Sequence, residues 1–525
     1  MITPSPSVEE VDAGGDTAAL AHTDTVSAQY SSEVPVTSLR RLAVRGAAYV
    51  ASSRLIIQIF TWFVTIETAR LLRPYDYGIL SAAAVLTNLT DVLAEAGLGK
   101  ALVQKPQVDA NDQADAFTLS FVLSVAMYAL LLGGAAAAAM GLQTPELATV
   151  LPVVGLTLLL IPLRVVPLSI LERDLRLKCM AGIAVCSSVL QGSIVLTLAL
   201  AGYGYWALIL GYMVPRFLEV PFVIWKTSWF PRFRWPGGWS NPLVSFGTHY
   251  TGARLCWFVY RNADYVVVGR LLGPIALGFY SLAFMLISLP VEKIVATCNQ
   301  AAFPTYCRLS HDRQRIRDWY LRLSILFGFV ATPVLVGLAA VANDAIVVVL
   351  GEKWIPAVVP LQIMSLAGVF MVIGSSIDVL FNAMGRPDIN FRFTAISVVV
   401  YPVLFYISAL HWGVSGVAWV WAIFYPIMVL VLIGTTRSLT GIRIRDLVDS
   451  QLAFWTSSLL MAVVVLGVQY LLRDSRGTVR LPLSILAGVL GYMAAVRLLA
   501  WERVMGNLRL LWNELRSHKV QADQV

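Results

Sequence analysis

The sequence predicts an all-α integral membrane protein. About 14 transmembrane helices are expected, as two six-helix lobes in parallel repeat around a central cavity plus a C-terminal helix pair. Three observations carry this expectation. The chain is 58% hydrophobic and 13% charged, where soluble domains average about 45–50% apolar and about 25% charged residues. Apolar stretches of about 20 residues recur along it, each long enough to cross roughly 30 Å of hydrocarbon as a helix. A short phrase also occurs twice, half the chain apart.

Residues 1–36 hold Glu9, Glu10, Asp12, Asp16, Asp24 and Glu33 and neither Lys nor Arg. A secretory leader has the opposite pattern, a basic start before an apolar run. Residues 1–39 therefore read as a disordered acidic cytoplasmic tail. The net charge of +8 conceals a more basic body, whose Lys and Arg lie in short loops between apolar spans. That placement points to membrane topology and away from nucleic acid. The five cysteines, Cys179, Cys186, Cys256, Cys298 and Cys307, show no CxxC spacing. Packing of small apolar thiols accounts for them.

In the N-terminal lobe, residues 40–235, spans are expected near 46–68, 78–98, 115–140, 147–171, 180–201 and 204–226. The C-terminal lobe, 236–440, gives spans near 245–269, 275–302, 321–343, 357–384, 390–410 and 413–436. Residues 441–525 add spans near 451–472 and 481–501 and a basic cytoplasmic tail. With both termini in the cytoplasm, about 26 of the 39 Lys and Arg fall on the inner side, as the positive-inside rule requires. Only the last outer loop, with Arg473, Arg476 and Arg480, dissents. Outer loops such as GLQTPE and LHWG are too short for a catalytic domain. The inner connections 227–244 and 303–320 are basic and aromatic, as expected of amphipathic segments on an anionic leaflet.

ARLLRPYDYGILS begins at Ala69 and GRLLGPIALGFYS at Gly269. Arg70, Leu71, Leu72, Pro74, Gly78 and Ser81 recur as the same residue type 200 positions later, and Arg54-Leu55 recurs as Arg254-Leu255. Shared leucines alone would be cheap in such a chain; Arg, Pro and Gly in one frame indicate duplication. Six spans separate the copies, so the repeats run parallel, related by an axis along the membrane normal.

Polar groups inside spans are the functional candidates, because charge in hydrocarbon is costly and usually faces an interior cavity. Arg54, Gln58, Thr61, Thr65 and Thr68 form one stripe on the first span, and Asn88, Asp91 and Glu95 another on the second. Arg254, Arg261 and Asp264 lie in the seventh span. Arg164 lies in the fourth and Arg216 in the sixth, with Glu219 at i+3 offering Arg216 a local partner. Arg54 and Arg254 sit about eight residues, roughly 12 Å, from the inner ends of their spans. Grouped guanidiniums there can hold a phosphate or pyrophosphate bidentately; the alternative is snorkelling to the interface. Asp91, Glu95, Asp264, Glu292 and Asp378 are candidates for charge pairing or for a coupling cation, H+ or Na+. No cofactor or metal is implied, since phosphate-binding loops and metal-ligand clusters are missing; AGLGK is too short for a P-loop.

ARLLRPYDYGILS, AGLGKALVQK, RNADYVVVGRLLGPIALGFYSLAFMLISLP, FPTYCRLSHDRQRIRDWY, GEKWIPAVVPLQIMSL and AMGRPDIN occur in order. Over about residues 40–450 the chain resembles the polysaccharide-transport branch of the multidrug/oligosaccharidyl-lipid/polysaccharide exporter superfamily. Within it, the likeness is to Wzx-type oligosaccharide flippases, particularly the WzxC-like subgroup. The resemblance implies movement of an undecaprenyl-pyrophosphate-linked oligosaccharide across the inner membrane, for exopolysaccharide, capsule or O-antigen synthesis, through a cation-lined cavity. It implies lipid-linked sugar and membrane lipids as partners, together with a polysaccharide polymerase and chain-length or export proteins, and no nucleic acid. Arg261, Asn262 and Asp264 match the family's seventh-span motif. The acidic tail and the last span pair depart from its simplest twelve-span form. Other classes remain to be separated: a membrane polysaccharide polymerase or glycosyltransferase, a drug or cation antiporter of the same superfamily, and a flippase for peptidoglycan precursors.

Overall fold

The computed structural model describes residues 57–58, 60–235, 242–309, 312–507 and 509. Arg54, the acidic segment 1–39 and residues 510–525 of the C-terminal basic tail lie outside them. The helices are α1 (60–71), α2 (Pro74–Glu95), α3 (Leu98–Gln104), α4 (Ala110–Gly141), α5 (Leu147–Gly155), α6 (Ile161–Arg173), α7 (Leu177–Leu200) and α8 (Tyr205–Thr227). The second half continues with α9 (Pro242–Leu309), α10 (Arg313–Ala345), α11 (Val358–Ala383), α12 (Pro387–Thr440), α13 (Ile444–Leu471) and α14 (Gly477–Leu499). All regular structure among the described residues is helical. Eleven helices among these residues are long and apolar enough to cross a membrane. The protein is a multi-pass membrane protein.

Two of those eleven fold back on themselves. In α9, Gly273 has φ 81° and ψ 176°, a backbone state open to glycine and closed to most side chains. The Tyr280 hydroxyl donates to the Asp264 carboxylate. Sixteen residues of straight helix would hold those residues about 24 Å apart, so α9 is a hairpin. Gly413 in α12, at φ 59° and ψ −145°, does the same, bringing the rings of Tyr401 and Trp421 to 5.3 Å. Gly273 falls between the expected spans 245–269 and 275–302, and Gly413 falls at the start of the expected span 413–436. The fourth expected span is continuous through α5, a 3-10 turn at Leu156–Leu160 and α6. Proline at positions 152 and 162 removes helical donors at this junction.

The two copies of the repeated phrase meet face to face. A Cβ on Gly78 would lie 1.8 Å from the Pro274 carbonyl oxygen, and a Cβ on Gly278 would lie 1.8 Å from that of Pro74. Only a hydrogen in place of a side chain allows both backbones to approach so closely. The arginines of the phrase reach across as well. Arg70 donates to the carbonyls of Val349 (2.6 Å) and Val348 (3.3 Å), at the end of the helix after α10. Arg270 donates to Gly141 (2.7 Å) and Met140 (3.2 Å), at the end of α4. These carbonyls lie at helix C-termini, whose acceptors cations satisfy. Lys353 Nζ donates to the carbonyls of Arg70 and Leu72, both at 2.6 Å. The buried indole of Trp354 donates to Ala69 at 2.9 Å and packs edge-on against Tyr77 and Phe279.

Two inner connections differ from expectation. Residues 303–320 form no separate surface segment: α9 continues to Leu309, and Asp312 caps α10 by accepting from the amides of Gln314 and Arg315. After α8, Ser228 turns left-handed and residues 229–235 follow without regular secondary structure. This strip is fastened to α4, with Trp229 and Phe233 against Phe117 and the Arg234 amide donating to Thr118 Oγ1. The C-terminal pair α13–α14 packs on α10. Gln451 donates to the Ser324 carbonyl at 2.6 Å, and Arg480 grips the buried Asp344 with two nitrogens. Part of the charge that breaks the positive-inside pattern is thus neutralised inside the protein.

Gly78→Ala and Gly278→Ala should each destabilise the protein by about 1–3 kcal/mol through overpacking against main chain. Gly133→Ala, where nothing lies within 4 Å, should be neutral or stabilising. Thermal unfolding of the three variants in detergent checks this.

Candidate functional site

At the end of α2 away from that contact, a polar cavity of about 600 Å³ opens between the halves. Asn88, Asp91 and Glu95 face it, as a stripe at i, i+3 and i+7 should. Lys100 of α3, Arg164 and Glu172 of α6 and Arg216 of α8 extend the lining. Arg254, Arg261 and Asn262 of α9 complete it. The structure thus brings together the intramembrane arginines that the sequence singles out, Arg54 lying outside the described residues.

Each arginine is held differently. Arg254 Nη1 donates to Glu95 Oε2 at 2.7 Å, joining α9 to α2. Arg216 lies over the Tyr212 ring at 3.7 Å, donates to the Tyr212 hydroxyl, and stands 3.8 Å from Asp91 Oδ2. Arg164 Nε donates to Glu219 Oε1 at 2.9 Å. The expected local pairing of Arg216 with Glu219 does not form. Glu219 turns to α6, and Arg216 faces α2 instead. The Arg261 guanidinium sits 5.2 Å from the centre of the Phe284 ring. Among the described residues no carboxylate lies within ion-pair distance of it.

The acidic candidates divide. Asp91 and Glu95 line the cavity and pair with its arginines. Asp264 is fully buried, turned into the core between α9 and α12. There it accepts from the Tyr280 hydroxyl, from Trp421 Nε1 (3.0 Å) and from the Tyr265 amide (2.9 Å). Glu292 and Asp378 are exposed, and neither they nor the half-buried Gln58 lines the polar cavity. Lys100 and Glu172, paired at 2.8 Å on its rim, lie just outside the expected spans 78–98 and 147–171, so a reading of charges within spans passes over them. The short helix α3 carries Lys100 to the rim, because Ala96 and Gly97 both take left-handed backbone and turn the chain after α2.

A second cavity of about 520 Å³ is apolar. It lies among α1, α9, α10, α11, α13 and α14, with Trp62, Pro290, Pro333, Leu361, Met461 and Tyr492 on its walls. No periodic signal in one helix marks it, since six helices build it.

Residues 68–359 match the family described as polysaccharide biosynthesis protein. The chain belongs to this family. This polysaccharide biosynthesis protein is 24% identical over 422 residues to teichuronic acid biosynthesis protein TuaB of Bacillus subtilis, covering 78% of this chain and 85% of that one. It is 24% identical over 392 residues to lipopolysaccharide biosynthesis protein WzxC of Escherichia coli, covering 72% and 78%. The Wzx-type resemblance read from the motifs is borne out. Its fold is that of lipid II flippase MurJ in an inward closed conformation, with a TM-score of 0.70 and 17% identity, over 86% of this chain and 99% of that one. An inward-facing multidrug-resistance MATE transporter of the MOP superfamily shares it at a TM-score of 0.59 and 14% identity, over 73% and 94%.

Arg164→Met should leave the buried Glu219 carboxylate unpaired and cost about 1–3 kcal/mol or more. Arg261→Met, which orphans no carboxylate among the described residues, should cost clearly less. Melting temperatures of the purified variants separate the two.

Proposed function

We propose that this protein is a flippase that moves a lipid-linked, diphosphate-bearing oligosaccharide from the cytoplasmic to the outer leaflet of the inner membrane, by alternating access. The observation that carries the reading is the cluster of Arg164, Arg216, Arg254 and Arg261 around one cavity between the two halves. Guanidiniums bind phosphate bidentately and offset its desolvation. A cationic drug would meet repulsion from the same groups. The apolar cavity suits a polyprenyl tail, which needs no polar partner, while the sugars occupy the polar one. The printed names of the relatives, teichuronic acid and lipopolysaccharide biosynthesis proteins, support a surface-polymer precursor as cargo. The MurJ-like and MATE-like fold supports transport over polymerisation or glycosyl transfer.

The reading includes fourteen spans in two lobes, 40–235 and 236–440, with α13–α14 appended. Eleven apolar helices, two of them hairpins, supply thirteen crossings, and α1 supplies the first. Both termini are then cytoplasmic, the polar cavity opens to the cytoplasm, and the Gly78–Pro274 and Gly278–Pro74 contacts close the outer side. Arg54, matched to Arg254 by the repeat, belongs to the same cluster in this reading.

Deleting the gene should make a lipid-linked oligosaccharide accumulate in the inner leaflet, and its mass names the cargo. A complementing copy carrying Arg54→Ala and Arg254→Ala should reach wild-type protein levels and restore less than about one tenth of polymer export. Normal export by the double variant, or accumulation of flipped but unpolymerised units, would sink the proposal.

A further inference from the structure

The ion pairs of the polar cavity are not equivalent. Arg164–Glu219 and Arg216–Asp91 lie within the first lobe. Arg254–Glu95 runs from α9 to the end of α2 and ties one lobe to the other. It does so at the open end of the cavity, opposite the glycine contacts. Glu95 engages Arg254 through one nitrogen and one oxygen, and both side chains are partly exposed, Arg254 by 40% and Glu95 by 29%. A single-point, hydrated pair of this kind is weak. Arg261 and Arg216 line the same cavity, so a diphosphate on Arg254 can also engage neighbouring guanidiniums, whereas Glu95 engages one.

From this arrangement we infer that Glu95 is a specificity-determining strap. In the empty protein it holds the place on Arg254 that the anionic head of the cargo takes. The inference rests on the phosphate-binding reading of the cavity. A carboxylate already seated on Arg254 is displaced only by an anion that binds the arginine cluster better. Neutral lipids and cations, which have no affinity for a guanidinium, leave the strap closed. Displacement has a mechanical result as well, because it removes a tie between the lobes at the cytoplasmic end. The ties at the other end are insensitive to anions in this sense. Their acceptors are the carbonyls of Met140, Gly141, Val348 and Val349, not a mobile carboxylate. Anion binding is therefore read at one end of the molecule and leaves the other latched, the order that alternating access requires.

The test uses the full chain in lipid nanodiscs with inorganic pyrophosphate as probe and orthophosphate in parallel. Spin labels at the exposed positions Asn111 of the first lobe and Gln314 of the second report lobe separation by double electron–electron resonance. Glu95→Gln should bind pyrophosphate roughly tenfold more tightly than wild type, since the competing anion is gone. Without any anion, its label distances should already match those of pyrophosphate-bound wild type. Glu95→Asp, which keeps the charge, should return both readouts toward wild type, and a role in folding alone would not produce that pattern. Unchanged affinity and unchanged distances in a folded Glu95→Gln protein would overturn the inference. Failure of pyrophosphate to bind wild type and Glu95→Gln alike, with Arg254→Gln no different, would overturn the phosphate reading beneath it.

Discussion

Two backbones touching where side chains are missing set the geometry of this molecule. Gly78 lies under the carbonyl of Pro274, and Gly278 under that of Pro74. Each contact makes the other possible, because the same approach of α2 and α9 creates both. With the helices pinned there, the space between the halves can widen only toward the opposite end. The polar cavity lies at that end, lined from both sides. The cavity is thus a product of the contact as much as of its own residues.

Electrostatics takes over where close packing stops. In the pinned region, charges act on helix ends: Arg70, Arg270 and Lys353 donate to carbonyls at helix C-termini. In the cavity, charges face each other across a partly solvated space. Arg164, Arg216 and Arg254 each meet a carboxylate from another helix. The same residue type therefore serves as a fixed clasp at one end and as an exchangeable contact at the other. The difference lies in the partner: a carbonyl cannot leave its helix, whereas a carboxylate on a flexible side chain can be replaced.

Much of this was written in the sequence. The all-helical, multi-span character, the breaks near Gly273 and Gly413, and the cavity stripe Asn88–Asp91–Glu95 follow from length, turn chemistry and helical period. The offset of 200 aligned Pro74 with Pro274 and Gly78 with Gly278 before any coordinates, but could not say that the copies touch. Pairings across helices were less legible. Glu219 is three residues from Arg216 and lies on a different helix from Arg164, yet it bonds Arg164, because packing of α6 on α8 decides the matter. Asp264 read as a cavity charge in one dimension. Its partners Tyr280 and Trp421 come from the returning arm of α9 and from α12, so no window of sequence around it announces its burial. The apolar cavity was invisible for the same reason, being the gap left by six helices.

The clasp at the pinned end places its demands unevenly on the two sides of each bond. Every acceptor is main chain: Ala69, Arg70, Leu72, Met140, Gly141, Val348 and Val349 offer carbonyls that any residue type would offer. The donors, Arg70, Arg270, Lys353 and Trp354, depend on their side chains. Sequence drift at an acceptor position leaves the bond in place, provided the helix still ends there. A membrane protein fastened this way can diverge far in sequence while keeping this contact, so long as a handful of donors and two glycines stay put.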